Sequence, residues 1–278
     1  IGSKKYSMVP GGSNYTETSL SGDYAGYKVI KYTENGTLNI TNAPSDDGIE
    51  ILMIAGGGGG GGVIGGGGGA GGVIYKRKIY IPEGTYNITI GQGGQGGNGW
   101  NTSTQEGHAG SPTTFSGGNI FYEAIGGGGG CAHGGSTPGA IAGKGGSGGG
   151  SANIRRHGGQ ATGVMGGNLD LHLRTEHTMN QPGTFDSDAQ ENSTVLGRCS
   201  QVGYVPGYWS DTAYFQTDPA TLKGWQGHPG GDWGDGNMGA GGGGAGQCGQ
   251  NAGVPNNRGG DGGHGIYCEI EGVKKAYA

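Results

Sequence analysis

Two groups of polar residues have the types that could hold a metal ion. The imidazoles of His172 and His177, with Glu176 between them, are possible ligands for a metal. Asp232, Asp235 and Asn237 carry the oxygen atoms that calcium prefers, but their spacing matches no established calcium loop. Surface polar residues are the simpler interpretation of both groups, so we expect no metal site.

Nucleotide binding and catalysis have equally little support. The stretch from Gly139 to Lys144 is one residue shorter than a phosphate-binding loop, and Gly145 stands where that loop needs Ser or Thr. Asp186 and Asp188 have no neighbouring group that would make them an acid–base pair. No Ser, His and Asp arrangement carries a nucleophile turn. We therefore expect no catalytic residue, no cofactor and no enzymatic activity.

The cysteines favour disulfide chemistry over metal or redox chemistry. The chain has four cysteines, at Cys131, Cys199, Cys248 and Cys268, and none of them forms a Cys-X-X-Cys motif. An even number of cysteines in a chain expected to be extracellular predicts two disulfides. Four cysteines allow three pairings, and their spacing does not choose among them.

Sequons for N-glycosylation are more frequent than chance predicts. About two Asn-X-Ser/Thr sequences would arise by chance in a chain of this composition, and six are present. This excess favours a secreted glycoprotein, whereas the alternative is that Thr is common in strands. The candidate sites are Asn14, Asn35, Asn39, Asn87, Asn101 and Asn192.

Glycine is the dominant residue of the chain, so the elements that position these candidate residues must be built largely from it. Of 278 residues 75 are Gly and only 10 are Pro, and 31% are apolar, so collagen is excluded and an ordinary core must be small. The net charge of −5 is mild, and the basic runs are as short as Lys76-Arg77-Lys78, which disfavours nucleic acid as a partner. No run of 18 apolar residues predicts a membrane span. Because the chain begins at Ile1 rather than Met, we expect processing or a segment of a longer product.

The glycine runs present a physical choice. Each ordered Gly costs roughly 0.5–1 kcal/mol more than Ala, and it has no side chain to offset that cost. Such runs either stay disordered or use nearly every N–H and C=O group in a dense lattice, and we favour the lattice. The stretch 91–99 repeats with period three, which is typical of a polyproline-II-like helix with three residues per turn. Without Cβ atoms, such helices can pack side by side.

Alternating segments between the glycine runs predict β-strands. The segments are 27–33, 37–41, 49–54, 73–81, 86–90, 121–125 and 265–270, with 273–278 as a partner of the last. Asn35-Gly36 between the first two predicts a hairpin. No stretch has helical spacing with caps. We therefore predict an all-β fold that combines strands with layered polyglycine-II helices.

Composition divides the chain into four parts. We assign residues 1–26 to an N-terminal arm or peripheral strand, 27–153 to a β/glycine-rich scaffold, 154–236 to a loop-rich insertion and 237–278 to a glycine-rich return with C-terminal strands. Aromatic residues concentrate in the insertion, either as a binding surface or as a local small core. The candidate binding residues are Tyr204, Tyr208, Trp209, Tyr214, Trp225 and Trp233.

These patterns resemble a known family. Ile51-Leu52-Met53-Ile54-Ala55 leads into a polyglycine run, and Tyr86-Asn87-Ile88-Thr89-Ile90 leads into glycine-rich triplets. The segments 121–130 and 260–266 follow the same pattern. The chain thus resembles the glycine-rich domain of phage tail-fibre and environmental surface proteins. That resemblance implies layered polyglycine-II helices whose connecting loops bind a host receptor.

Together these features predict an extracellular structural or adhesive protein. We expect a subunit that packs with copies of itself into a glycosylated filament or surface appendage. The alternative is an adhesin at a viral or phage fibre tip, located on the virion surface, whose aromatic loops contact a host-surface glycan or protein. Two departures from the tail-fibre pattern, the aromatic insertion and the number of sequons, favour the first interpretation.

Overall fold

The fold is all-β. A computed structural model describes residues 5–44, 48–98, 106–132, 142–143, 145–152, 226–231, 238–253 and 258–278. Its strands are β1 (Ser7–Gly11), β2 (Tyr15–Ser19), β3 (Lys28–Tyr32), β4 (Gly36–Asn42), β5 (Ile49–Ile54), β6 (Val73–Ile79), β7 (Gly84–Thr89), β8 (Thr113–Gly117), β9 (Ile120–Ala124), β10 (Ile266–Cys268) and β11 (Lys275–Tyr277). The one helical turn among these ranges is a 3-10 helix at Gly22–Tyr24. Nowhere in these ranges is there a helix with the length and apolar character needed to cross a bilayer.

Five antiparallel strands form the main sheet, in the order β1-β4-β7-β8-β9. Along β4, Leu38 and Ile40 are buried and Asn39 between them is exposed, as the two-residue period of a strand requires. The ring of Tyr86 on β7 stacks on Phe115 of β8 with centroids 5.0 Å apart. One face of this sheet therefore covers the larger apolar core, and the other face is exposed.

Three further sheets have two strands each. They pair β2 with β3, β5 with β6 and β10 with β11, all antiparallel. The C-terminal pairing of β10 with β11 confirms the predicted partner across the turn at Glu271-Gly272. The predicted strands that begin near residues 49, 73, 86 and 121 are also present.

The hairpin predicted at Asn35-Gly36 is wrong. β3 and β4 are both strands, but β3 pairs with β2, while β4 pairs with β1 and β7. A two-residue hairpin of the Asn-Gly type needs positive φ at both residues, and neither Asn35 nor Gly36 has one. The chain instead passes from one sheet to the next at this point.

Strand β8 was missed by the strand pattern. Thr113–Gly117 pairs with both β7 and β9, and its link to β9 is the two residues Gly118 and Asn119. Gly118 has φ of +53°, a conformation that glycine adopts readily at the first turn position. The Gly-Asn dipeptide was thus the available hairpin signal, and the Asn-Gly dipeptide was the misleading one.

The N-terminal segment contributes strands to two sheets. β1 forms one edge of the main sheet through its pairing with β4. β2 pairs with β3 over its full length, from Tyr15 opposite Tyr32 to Ser19 opposite Lys28. The part of 1–26 that the structure describes is therefore bonded to strands of the scaffold.

Between the strands, the glycine-rich segments form rods that bond to one another. Bonds between two rods recur every third residue in both partners. Rod 55–61 bonds in this way to four others: rods 65–72, 91–98, 106–111 and 126–131. The bonds to the first two run from Ala55 N to Gly72 O (3.1 Å), Gly58 N to Gly69 O (2.8 Å), Gly61 N to Gly66 O (2.9 Å), Gly94 N to Gly57 O (2.8 Å) and Gly97 N to Gly60 O (2.9 Å).

The same spacing continues through the rest of the lattice. Rods 145–151, 226–231, 239–246 and 258–265 join it through bonds of the same period. These bonds include Gly150 N to Gly67 O (2.7 Å), Ser147 N to Ala70 O (3.1 Å), Gly148 N to His228 O (3.0 Å), Gly231 N to Gly241 O (2.8 Å), Gly260 N to Gly239 O (3.0 Å) and Gly263 N to Gly242 O (2.9 Å). Residues 226–231, which the sequence assigned to the insertion, thus lie among the rods.

Close approach of main chains explains why the rods are glycine. A Cβ atom on Gly58 would collide with the carbonyl group of Gly128, and one on Gly59 would collide with the carbonyl group of Gln95. Gly59 is buried, whereas Gly60 is exposed and a Cβ there would lie 3.6 Å from the nearest atom, the Gly66 carbonyl oxygen. Within one rod, some positions therefore exclude a side chain and the adjacent position accepts one.

We predict opposite effects of alanine at these two neighbours. Gly59→Ala should lower the free energy of unfolding by about 1–3 kcal/mol, because the added methyl group forces two rods apart. Gly60→Ala should leave it unchanged or raise it by up to about 1 kcal/mol, because alanine restricts the unfolded chain. Denaturant titration of the two variants measures the difference. Equal losses in both would contradict the assignment of Gly59 to a rod contact.

Candidate functional site

The candidate functional surface of this chain is built on the rod lattice and on the strands that lead into it. Strands β5, β7 and β9 each end where a rod begins, at residues 55, 91 and 126. The sheets thereby fix the position and direction of the rods. Rod residues that face outward, together with residues on the exposed sheet face, form the accessible surface.

Gln226 joins the end of β9 to the lattice. Its side chain is fully buried, with Oε1 accepting from Ile125 N at 2.7 Å and Nε2 donating to Glu123 O at 2.8 Å. Its backbone carbonyl accepts from Val73 N at 3.0 Å. The side-chain amide thus acts as an additional peptide group at the point where strand bonding changes to rod bonding. A Cβ on Gly72 would collide with this side chain, so glycine at that position makes room for the amide.

Glu271 links two strand pairs that are far apart in the sequence: β2 with β3, the N-terminal hairpin, and β10 with β11, the C-terminal hairpin. Its carboxylate accepts from Lys275 Nζ at 2.6 Å and Tyr277 OH at 2.7 Å, and Lys31 Nζ on β3 lies 3.3 Å away. These donors, led by Lys275, lower the pKa of Glu271 to about 2. Burial and the neighbouring carboxylate raise the pKa of Tyr277.

A second contact supports the same junction. Tyr24 OH donates to Glu269 Oε2 at 2.6 Å, and Leu20 packs beside Gly272, which has φ of +77°. No sequence pattern connects residues so far apart along the chain. Gln226 and Glu271 were therefore both missed, although Gly227 and Gly230 after Gln226 show the glycine spacing of a rod.

Four of the six predicted glycosylation sites lie in the described residues, and all four are exposed: Asn14, Asn35, Asn39 and Asn87. Asn39 and Asn87 lie on the same face of the main sheet, since Asn39 pairs with Thr85 and Asn87 pairs with Thr37. Asn35 accepts from Ile90 N through Oδ1 at 2.8 Å. Asn101 and Asn192 lie outside the described residues.

The cysteines differ from the two predicted disulfides. Cys131 and Cys268 are buried, and neither is in a disulfide, so two disulfides do not form. Burial raises the pKa of the Cys268 thiol, which makes it a poor nucleophile. Cys248 is buried with Sγ 3.9 Å from Nδ1 of His228. Cys199 lies outside the described residues, and Cys199 with Cys248 is the one pairing that remains.

The six aromatic residues predicted to bind a partner also lie outside the described residues: Tyr204, Tyr208, Trp209, Tyr214, Trp225 and Trp233. The same holds for His172, His177, Asp232, Asp235 and Asn237. In the ranges that the structure describes, no three His, Cys, Asp or Glu side chains are grouped as a metal site would need.

Comparison with protein families assigns the chain to a family. The family model of the glycine-rich domain matches residues 33–268, which is most of the chain. The chain belongs to the glycine-rich domain family. The matched range includes strands β4 to β10 and the described rods up to residue 265. No curated protein and no solved structure matches the chain.

We predict that Gln226 is needed for stability through its side-chain amide. Gln226→Met keeps the length of the side chain but leaves Ile125 N–H and Glu123 C=O buried without partners, which should cost about 2–4 kcal/mol of unfolding free energy. Denaturant titration measures that loss, and hydrogen exchange should show faster exchange at the Ile125 amide. Gln95→Met is the control, because the Gln95 side chain is exposed and only its carbonyl group bonds to another rod. Equal stability of the two variants would refute the role of Gln226.

We predict that the Glu271 junction weakens in acid. The folded pKa of about 2 lies below the usual value, so the stabilisation is complete above about pH 5 and is lost as pH falls towards 2. Glu271→Gln should lower stability at pH 7 by about 1–2 kcal/mol and flatten the pH dependence between about pH 5 and 2.

Unfolding free energies measured from pH 7 to pH 2 test this prediction. The control is Glu34→Gln, at an exposed glutamate between β3 and β4. An unchanged pH dependence in Glu271→Gln would show that the cluster does not hold the two hairpins together.

Proposed function

We propose that this chain is a non-enzymatic extracellular structural or adhesive protein, a self-assembling subunit of a glycosylated filament or surface appendage. The observation that carries the proposal is the lattice of main-chain hydrogen bonds, which recur every third residue between rods from 55–61 to 258–265. Such bonding makes a body rigid with only a small apolar core. Rigidity of this kind suits a load-bearing or display role.

We further propose that the rods are polyglycine-II helices. Three residues per turn in a helix without internal hydrogen bonds would direct successive N–H groups to different neighbours. The period-three bonding supports this conformation, because residues 55, 58 and 61 all donate to one rod and residues 56 and 59 donate to another. Exposed Gln92 and Gln95, each in the middle of a triplet, also agree with it.

The exposed sequons support an extracellular, glycosylated protein. An N-linked glycan attaches to the side-chain nitrogen of asparagine, so the Oδ1 bonds that Asn35 and Asn39 accept are compatible with modification. Asn39 and Asn87 would place glycans on the exposed face of the main sheet. Glycans there would keep that face from packing against other molecules, which leaves the rods for assembly.

Expression in a eukaryotic secretory pathway, with intact-mass analysis and electron microscopy, tests the proposal. We expect added glycan mass that is lost on enzymatic deglycosylation and that falls stepwise in Asn14→Gln, Asn35→Gln, Asn39→Gln and Asn87→Gln. Asn42→Gln, outside any sequon, should leave the mass of the glycans unchanged. The secreted protein should form filaments in electron micrographs.

A different outcome would favour the alternative function. A discrete monomer or trimer that lacks glycans and binds cells would contradict the filament proposal and support a receptor-binding adhesin at a viral or phage fibre tip. A discrete monomer that neither carries glycans nor binds cells would contradict both.

A further inference from the structure

Among the described residues, two rods of the lattice bond to two neighbouring segments each. Rod 91–98 bonds to rods 55–61 and 106–111, and rod 258–265 bonds to rod 239–246 and the following segment 246–253. The two have no neighbour in common. They are connected through three intermediate rods, each bonded to the next: 55–61, 65–72 and 239–246. They are therefore separate margins of the same lattice.

The two marginal rods repeat the same triplet. Each triplet has an exposed residue with a side chain, then an exposed glycine, then a partly buried glycine. In rod 91–98 the partly buried glycines donate inward, and Gln92 and Gln95 accept through their carbonyl groups. Rod 258–265 uses its residues in the same way. As donors, Gly94 N bonds to Gly57 O in the first rod and Gly260 N bonds to Gly239 O in the second. As acceptors, Gln92 O receives a bond from Ser111 N in the first rod and Asp261 O receives one from Gln250 N in the second.

Among the described residues, no contact explains why the exposed positions of these rods are glycine. A Cβ on Gly93 or Gly96 would lie 3.7 Å from its nearest atom, one on Gly262 would lie 3.8 Å away and one on Gly259 would lie 3.4 Å away. None of these four residues has positive φ. Because glycine costs conformational entropy, its repeated use where a side chain would fit indicates a neighbour other than the described residues of the same chain.

The unused main-chain groups indicate what that neighbour is. In the described part of the chain, Gly93 and Gly96 make no backbone hydrogen bond, nor do Gly259 and Gly262. Their N–H and C=O groups repeat every three residues, the spacing by which every other rod recognises its neighbours. The lattice accepts neighbours in either direction, since rod 55–61 runs antiparallel to rod 65–72 and parallel to rod 91–98.

We propose that rod 91–98 of one copy packs against rod 258–265 of a second copy and so continues the lattice between molecules. Gln92 and Gln95 carry neutral amides, and Arg258 and Asp261 carry charges that amides can bond. The contact joins two different surfaces, so each added copy leaves a free margin at the end, and the copies propagate as an open filament where their rotation does not close a ring. This inference rests on the proposed self-assembly and assigns the surfaces that perform it.

Valine at the exposed glycines tests the contact. Gly93→Val with Gly96→Val, or Gly259→Val with Gly262→Val, adds side chains that separate the rods of two copies, at positions where a Cβ makes only ordinary contact within the monomer. Each pair should raise the protein concentration needed for assembly by at least about tenfold, as expected when several hydrogen bonds are lost. The control is Ser7→Val with Thr18→Val, at exposed positions of β1 and β2. It should assemble like the wild type.

Mixing the two variants gives a sharper result. Each variant keeps one intact margin, so each alone should be monomeric, and an equimolar mixture should form a one-to-one dimer in sedimentation velocity. Circular dichroism and melting temperature verify folding. If a valine pair does not fold, the matching alanine pair replaces it, because a single Cβ also prevents the close approach of rods.

The outcomes separate this inference from the proposed function. If the wild type forms filaments and both valine pairs form them equally well, the rod contact is wrong and the filament function stands. If the variants are monomeric but their mixture forms no dimer, the head-to-tail pairing is wrong. If the wild type stays monomeric at every concentration, self-assembly itself is refuted.

Discussion

Hydrogen bonds between the main chains of neighbouring glycine rods are the constraint on which this structure depends. Two rods can exchange bonds only when their backbones approach more closely than a Cβ atom allows, as the contact between Gly58 and the carbonyl group of Gly128 illustrates. A side chain at such a position would remove the bond as well as the space. Cohesion that most domains obtain from apolar side chains is here supplied by peptide groups.

The small apolar core has a different task. It packs the inner face of the five-stranded sheet, with Ile40 and Ile74 almost fully buried and Tyr86 stacked on Phe115. Strands of this sheet lead directly into rods, so the core fixes where each rod starts and in which direction it runs. Gln226 continues the bonding across that transition, since a side-chain amide has the donor and the acceptor of a peptide group.

The division of the surface follows from these two parts. The exposed face of the main sheet carries Asn39 and Asn87, whereas the lattice margins carry glycines with unused main-chain groups. A protein arranged in this way can carry modifications on its sheet and extend through its rods without either interfering with the other.

Much of the fold followed from local patterns. Alternation of apolar and polar residues located most strands, and the period of three in residues 91–99 predicted side-by-side rods whose middle residues face solvent. Local patterns failed where pairing depends on distant segments. Asn35-Gly36 had the composition of a hairpin turn, but β4 binds β1 and β7 instead, because the buried positions Leu38 and Ile40 face the core that those strands cover.

The sequence by itself therefore determined the all-β class, most of the strand segments and the need for main-chain bonding, since these depend on residue type and short-range period. Only the tertiary structure decided which rods are neighbours, which glycines are enclosed and which lie open at a margin. Glycines with identical neighbours in the chain, such as Gly59 and Gly60, have different surroundings. The physical reason is that glycine has no side chain that could make one bonding partner more favourable than another. The strands that lead into the rods fix their positions, and those positions decide which rods bond to each other.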